Sequence, residues 1–302
     1  MRIRYFSEFT PKQSTLLPGV VAILFVMAIY AANFVVTRYS VLNGLTSFDL
    51  AALRFSVAGL LMLPYFYRLG LTDLGGIGWP RAILLSCLAG SPYMLVFFYG
   101  LSFAPASHGA VLNPGIVPSV VFLSMVFLGL QSFSLARAVS LMSIVLGVIF
   151  VTASSFSLQG SVLFGDLLLF STGISWGIFT LLAKRWKLRP MQGTAIVSVI
   201  SLLYVPLYLL FWYNGFGSVS VTHLVSQAIF QGLVLSIGTI YLVTYAVQRL
   251  GAQLTSLFSP LVPVLTTLIA VPLLGEIPTS LQWIGIILVV LGMVSAAKMN
   301  SE

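Results

Sequence analysis

Ten apolar stretches follow one another along the chain, separated by short polar breaks. They run over residues 18–40, 47–69, 79–101, 107–130, 134–154, 163–184, 191–213, 225–248, 253–274 and 279–298. Each is close to the roughly 20 residues a helix needs to cross the hydrocarbon of a bilayer. Only helices and closed barrels satisfy every backbone polar group in lipid, so the pattern predicts an all-α integral membrane protein with ten transmembrane helices. Composition agrees: hydrophobic residues make up 59% and charged residues 7% of the chain, against about 25% charged in a soluble domain.

The charges set an orientation. Arg2, Arg4, Lys12, Arg68, Arg81, Arg137, Lys184, Arg185, Lys187, Arg189, Arg249 and Lys298 all fall on one side of the ten segments, and only Arg38 and Arg54 toward the other. Short loops rich in Lys and Arg stay in the cytoplasm, which places both termini there, with residues 1–17 as a cytoplasmic tail. The net charge of +8 is thereby assigned to topology and anionic headgroups, and no nucleic acid is expected. The first segment is too long for a signal-peptide core and lacks a small-residue cleavage site, so it is expected to remain as a helix. Cys87 is the single cysteine, which excludes an intrachain disulfide and a thiolate metal cluster.

A repeat with a period of about 146 residues divides the chain. Ala82-Ile83 recurs as Ala228-Ile229, Tyr99 as Tyr245, Ala106 as Ala252 and Pro114 as Pro260. After a one-residue shift Pro118 matches Pro263, Gln131 matches Glu276 and Gly147 matches Gly292, while Tyr30 with Arg38 answers Trp176 with Lys184. The expected units are 18–155 and 156–302, each of five spans. An odd number inverts the second copy, and inverted repeats with a midplane site between them mark many secondary transporters. Asn113-Pro114 with Pro118, and Ser259-Pro260 with Pro263, occupy equivalent places, and Gly90-Ser91-Pro92 interrupts the third span. Proline frees a backbone carbonyl and bends a helix, so Pro114, Pro118, Pro260 and Pro263 are candidate hinges or cavity walls.

Ionisable groups inside a membrane are costly and usually functional. The acidic residues Glu8, Asp49, Asp73, Asp166, Glu276 and Glu302 are read as lying in tails, loops or at helix ends. Arg54 is expected to snorkel to the headgroups, with an anchor for a substrate carboxylate as the alternative. His108 opens the fourth span at its outer end, His223 is in a loop, and neither stands at zinc-ligand spacing from other ligands. The candidate substrate lining is therefore neutral and aromatic: Tyr30, Asn33, Tyr93, Tyr99, Asn113, Ser175, Trp176, Tyr241 and Tyr245, with His108. Hydroxyls and amides suit the charged ends of a zwitterion, and ring faces suit an apolar side chain and an ammonium. No paired intramembrane Asp, His-Glu-x-x-His, Gly-x-Ser-x-Gly or phosphate-loop motif is present, so neither an enzyme nor a primary pump is expected, nor any cofactor or metal. A channel is the harder rival to a carrier.

Several of these residues carry a family resemblance. Tyr245, Gly251-Ala252, Pro260, Pro263, Leu274-Gly275-Glu276, Gly285 and Gly292, together with Tyr30, Arg38, Ser47 and Arg54, are similar to the pattern of the drug/metabolite transporter superfamily, built from two five-helix EamA-type domains. Gln131 departs from the Glu usual at its place. Within the superfamily the chain most resembles the bacterial YddG-type aromatic amino-acid exporters. That resemblance implies export of aromatic and other bulky neutral amino acids across the inner membrane. Proton-coupled transport of other metabolites or drugs is the alternative. The small multidrug antiporters of the superfamily use a buried Glu in the first span, which this chain lacks, so transport without obligatory proton exchange is expected.

Overall fold

In the computed structural model the described residues are 16–127, 135–153, 160–217 and 219–299. Arg2, Arg4, Lys12 and Gln131 lie outside them, as do the side chains of Arg137 and Lys298. The elements are α1 (Leu16–Leu42), α2 (Ser47–Arg68), α3 (Trp79–Ala89), α4 (Ser91–Phe103), α5 (Ala106–Phe127), α6 (Leu135–Ala153) and α7 (Gly160–Arg185). Then come α8 (Pro190–Leu202), α9 (Tyr204–Phe211), α10 (Val221–Ala228), a π-helical segment (Ile229–Gly238), α11 (Thr239–Ser256), α12 (Leu261–Leu274) and α13 (Ser280–Met299). Among the described residues eight helical stretches are long and apolar enough to cross a membrane, and residues 138–153 and 280–296 form two shorter apolar helices.

The third expected span is two helices, α3 and α4, hinged at Gly90. Pro92 has no N–H, so the Leu88 carbonyl four residues earlier loses its helical donor. The Ser175 hydroxyl of α7 donates to that carbonyl at 2.8 Å. On the other side of the break, Ser91 N–H donates to the Ser201 hydroxyl of α8 at 2.9 Å. Both groups freed by the break thus find side-chain partners inside the bundle, as lipid requires. A β-carbon at residue 90 would collide with Ser201 Oγ, which is why glycine stands there. Ser201→Ala should leave Ser91 N–H unpartnered and cost about 1–2 kcal/mol, read as a lowered unfolding midpoint in detergent. An unchanged midpoint would show that the break finds another acceptor.

Pro114 and Pro118, in contrast, lie within α5 without interrupting it, and Pro260 caps α12.

Helix α1 packs against α11 and α12, and α7 against α4 and α5. Helices α6 and α13 form the closest seam. A β-carbon at Gly147 would stand 2.5 Å from the Gly285 carbonyl oxygen, and one at Gly285 2.6 Å from that of Gly147. One end of the seam is closed by the Ser140 hydroxyl, which donates to the Gly292 carbonyl at 2.7 Å, and its middle by Ser143 donating to Leu288 O at 2.8 Å. Residue 140 pairs with 292 and 147 with 285, so the two helices run antiparallel.

Candidate functional site

A cavity of about 780 Å³ lies between the helices. Tyr30 and Asn33 of α1, Arg54 of α2, Tyr93 of α4, Asn113 of α5 and Trp176 of α7 line its deep part. The lining continues to Leu188, Arg189 and Pro190 at the α7–α8 turn and to Ser256 and Ser259 at the end of α11, so the cavity reaches one end of the bundle. Pro114, Pro118 and Pro260 are in its wall. Pro263 is buried and outside the lining.

The aromatic wall is continuous. Tyr93 stacks on Phe97 at 6.3 Å and leans on Trp176 at 5.7 Å, and Trp176 stacks on Phe179 at 5.1 Å. Asn113 joins α4, α5 and α7: its amide donates to Tyr93 Oη at 3.0 Å and to Thr172 Oγ1 at 2.8 Å. Both donors used in this way fix the Tyr93 ring where it meets Trp176.

Other expected site residues are placed elsewhere. Tyr241 is 68% exposed and Tyr99 45% exposed, the latter packed edge-on against Phe103 and Phe164. Tyr245 lies under the Arg249 guanidinium, 5.0 Å from its ring centre. Ser175 is committed to the α3 break. None of these four lines the cavity.

His108 is fully buried and does not face an outer cavity. Its Nδ1 is 2.8 Å from Asp166 Oδ1 and its Nε2 is 2.7 Å from Gln282 Nε2. The Gln282 carbonyl oxygen already accepts from Thr279 N–H at 2.7 Å, so its amide nitrogen is the donor to His108 Nε2. The ring is thus held at both nitrogens, between the Asp166 carboxylate and the Gln282 amide. Asp166 is correspondingly not a helix-end residue. It lies six residues into α7 and is buried, because α7 begins at Gly160, ahead of the apolar run.

Arg54 also departs from expectation. It lines the cavity instead of reaching the headgroups, and its Nη1 donates to Gln231 Oε1 at 3.0 Å. Gln231 belongs to the π-helical segment and is fully buried. Its amide nitrogen donates to Asn33 Oδ1 and Thr37 Oγ1, each at 3.1 Å, so its oxygen is left for Arg54. In the sequence Gln231 is marked only as an amide in mid-span. The Ser236 hydroxyl donates to the Gln231 carbonyl five residues back at 2.8 Å, consistent with the wide π turn. Such turns recur at functional sites.

The end of the bundle opposite the cavity mouth is tied shut. Arg38, near the end of α1, pairs with Glu276 at 2.9 Å and donates to the carbonyls of Leu101 and Ser102, both at 2.8 Å. Glu276 Oε2 accepts from Ala106 N–H at 2.8 Å, satisfying the start of α5. Gly275, at φ 69°, ends α12 in the left-handed conformation and turns the chain so that Glu276 reaches both. Beside this knot Asp49 caps α2 through Thr46 and accepts from the Tyr208 hydroxyl. Among the described residues no cluster of three His, Cys, Asp or Glu could hold a metal.

Known proteins share this architecture. A solved crystal structure superposes with a TM-score of 0.59 at 19% identity, covering 96% of this chain and 99% of the other, a likeness of fold. An uncharacterized transporter of Archaeoglobus fulgidus is 26% identical over 275 residues, 88% of this chain and 92% of that protein. The uncharacterized transporter YyaM of Bacillus subtilis is 25% identical over 231 residues, 71% and 72% of the two chains. The family model of the EamA-like transporters matches twice, over residues 17–153 and 163–297. The chain therefore belongs to the EamA-like transporter family and is a multi-pass membrane transporter.

Proposed function

We propose that this transporter exports amino acids, aromatic and other bulky neutral ones first, by alternating access between two inverted five-helix halves. The observation that carries the reading is the ring-lined cavity of Tyr30, Tyr93, Trp176 and Phe179, open toward one end and tied shut at the other. Ten spans follow when the two shorter apolar helices are counted with the eight long ones. The antiparallel α6–α13 seam, whose contacts interchange between halves, supports the inversion. The open end carries Lys184, Arg185, Lys187 and Arg189, the side that the basic bias assigns to the cytoplasm of a bacterial inner membrane. Loading from that side is loading for export.

Among the described residues no carboxylate lines the cavity, and the His108–Asp166 pair is sealed from it. On this reading the cell's own gradient drives export.

Reconstituted protein should exchange labelled phenylalanine, tyrosine and tryptophan saturably, with stimulation by substrate on the opposite side. A pH gradient should not drive accumulation above equilibrium. Unsaturable flux without that stimulation would indicate a channel. Accumulation driven by a proton gradient and lost in His108→Ala would make His108 and Asp166 the coupling pair.

A further inference from the structure

The cavity has a charge that the neutral-zwitterion reading does not use. Arg54 is the basic side chain of its deep part, and among the described residues its hydrogen-bond partner is a neutral amide and no carboxylate pairs with it. Asp49, Asp166 and Glu276 are engaged elsewhere, with Tyr208, His108 and Arg38 respectively. Arg189 at the mouth adds a second positive group. An anion entering from that end meets two positive side chains, whereas an ammonium meets their repulsion, offset by ring faces and neutral hydroxyls and amides.

The arginine is also aimed. Gln231 cannot turn its amide over, because its nitrogen is committed to Asn33 and Thr37. Its oxygen therefore holds one of the five guanidinium N–H groups, and the others are available for a planar carboxylate.

We propose that the carboxylate is the group this cavity requires and the α-ammonium is dispensable. Arg54 binds the carboxylate, Gln231 positions Arg54, and the Tyr93–Trp176 wall takes the ring. Aromatic carboxylic acids without an amino group are then ligands alongside the amino acids, and aromatic amines without a carboxylate are not. The inference rests on this cavity being the substrate site but not on amino acids being the substrate.

The test is calorimetric binding to the full chain in lipid nanodiscs, using L-phenylalanine, 3-phenylpropionate and L-phenylalaninamide. Binding of 3-phenylpropionate is expected within about tenfold of phenylalanine, and that of the amide about ten- to hundredfold weaker, the usual worth of a charge-assisted hydrogen bond. Arg54→Gln should remove the preference. Gln231→Glu should do the same by neutralising Arg54 from within, and it keeps the side-chain shape if the first variant fails to fold. Arg54→Lys should restore part of the preference. Equal binding of phenylalanine and its amide, or no binding of 3-phenylpropionate, overturns the proposal. Binding of 3-phenylpropionate that depends on Arg54, with none of phenylalanine, upholds it and removes the amino-acid reading instead.

Discussion

Glu276→Ala should destabilise the folded bundle by about 2–4 kcal/mol, as removal of one member of a largely buried ion pair does. Arg38 and Glu276 are 14% and 16% exposed at their side chains. The loss leaves a guanidinium without its counter-charge and strips the Ala106 N–H of its acceptor. A double variant, Arg38→Met with Glu276→Leu, removes both charges together and should recover part of the loss, because apolar replacement of a buried pair is often close to neutral. Thermal unfolding in detergent, followed by retention of a monodisperse peak, measures both. A single variant as stable as the parent, or a double variant worse than the single, would show that the knot does not hold the closed end.

Trp176→Ala should weaken apparent affinity for aromatic substrates by about ten- to hundredfold, the effect of losing stacking worth roughly 1–3 kcal/mol. Trp176 stands between Tyr93 and Phe179 in the cavity wall, so its removal also takes away one of the contacts that hold the Tyr93 ring. Trp176→Phe should keep most of the affinity. The measurement is KM for tryptophan and for alanine in proteoliposomes. The expected loss falls on tryptophan, whereas unchanged constants for both would move the binding wall elsewhere.

What could be read from the sequence follows from what lipid makes visible. Helical spans show as apolar length, and the α3–α4 break shows because a proline removes a donor that must be replaced inside the bundle. Tyr30, Asn33, Tyr93, Asn113 and Trp176 could be picked out as polar or ring-bearing residues near the middle of spans, and the fold brings all five to one cavity. Tyr99 and Tyr241 could not be told apart from them. In a membrane both faces of a helix are apolar, so the pattern carries little phase information, and these two turn outward. Arg54 was visible as an intramembrane charge, but its environment depends on Gln231. The π turn displaces side chains from the positions that a 3.6-residue period assigns, and no local signal marks it. Asp166 reads as a helix-end residue because it falls near the start of an apolar run, although α7 begins earlier. Its partnership with His108 spans two helices distant in sequence.

The reciprocal glycines of the α6–α13 seam constrain how such a carrier can move. Gly147 and Gly285 each receive the other's backbone, with Val289 and Val151 filling the adjoining positions. Sliding one helix along the other would drive those branched side chains into backbone that now accepts only hydrogen atoms. In the proposed alternating-access cycle, a movement that closes the cavity mouth and opens the knotted end would turn about the seam, which would serve as an axle fixed in height. Its bearing surface is the pair of residues that have no side chain to wear.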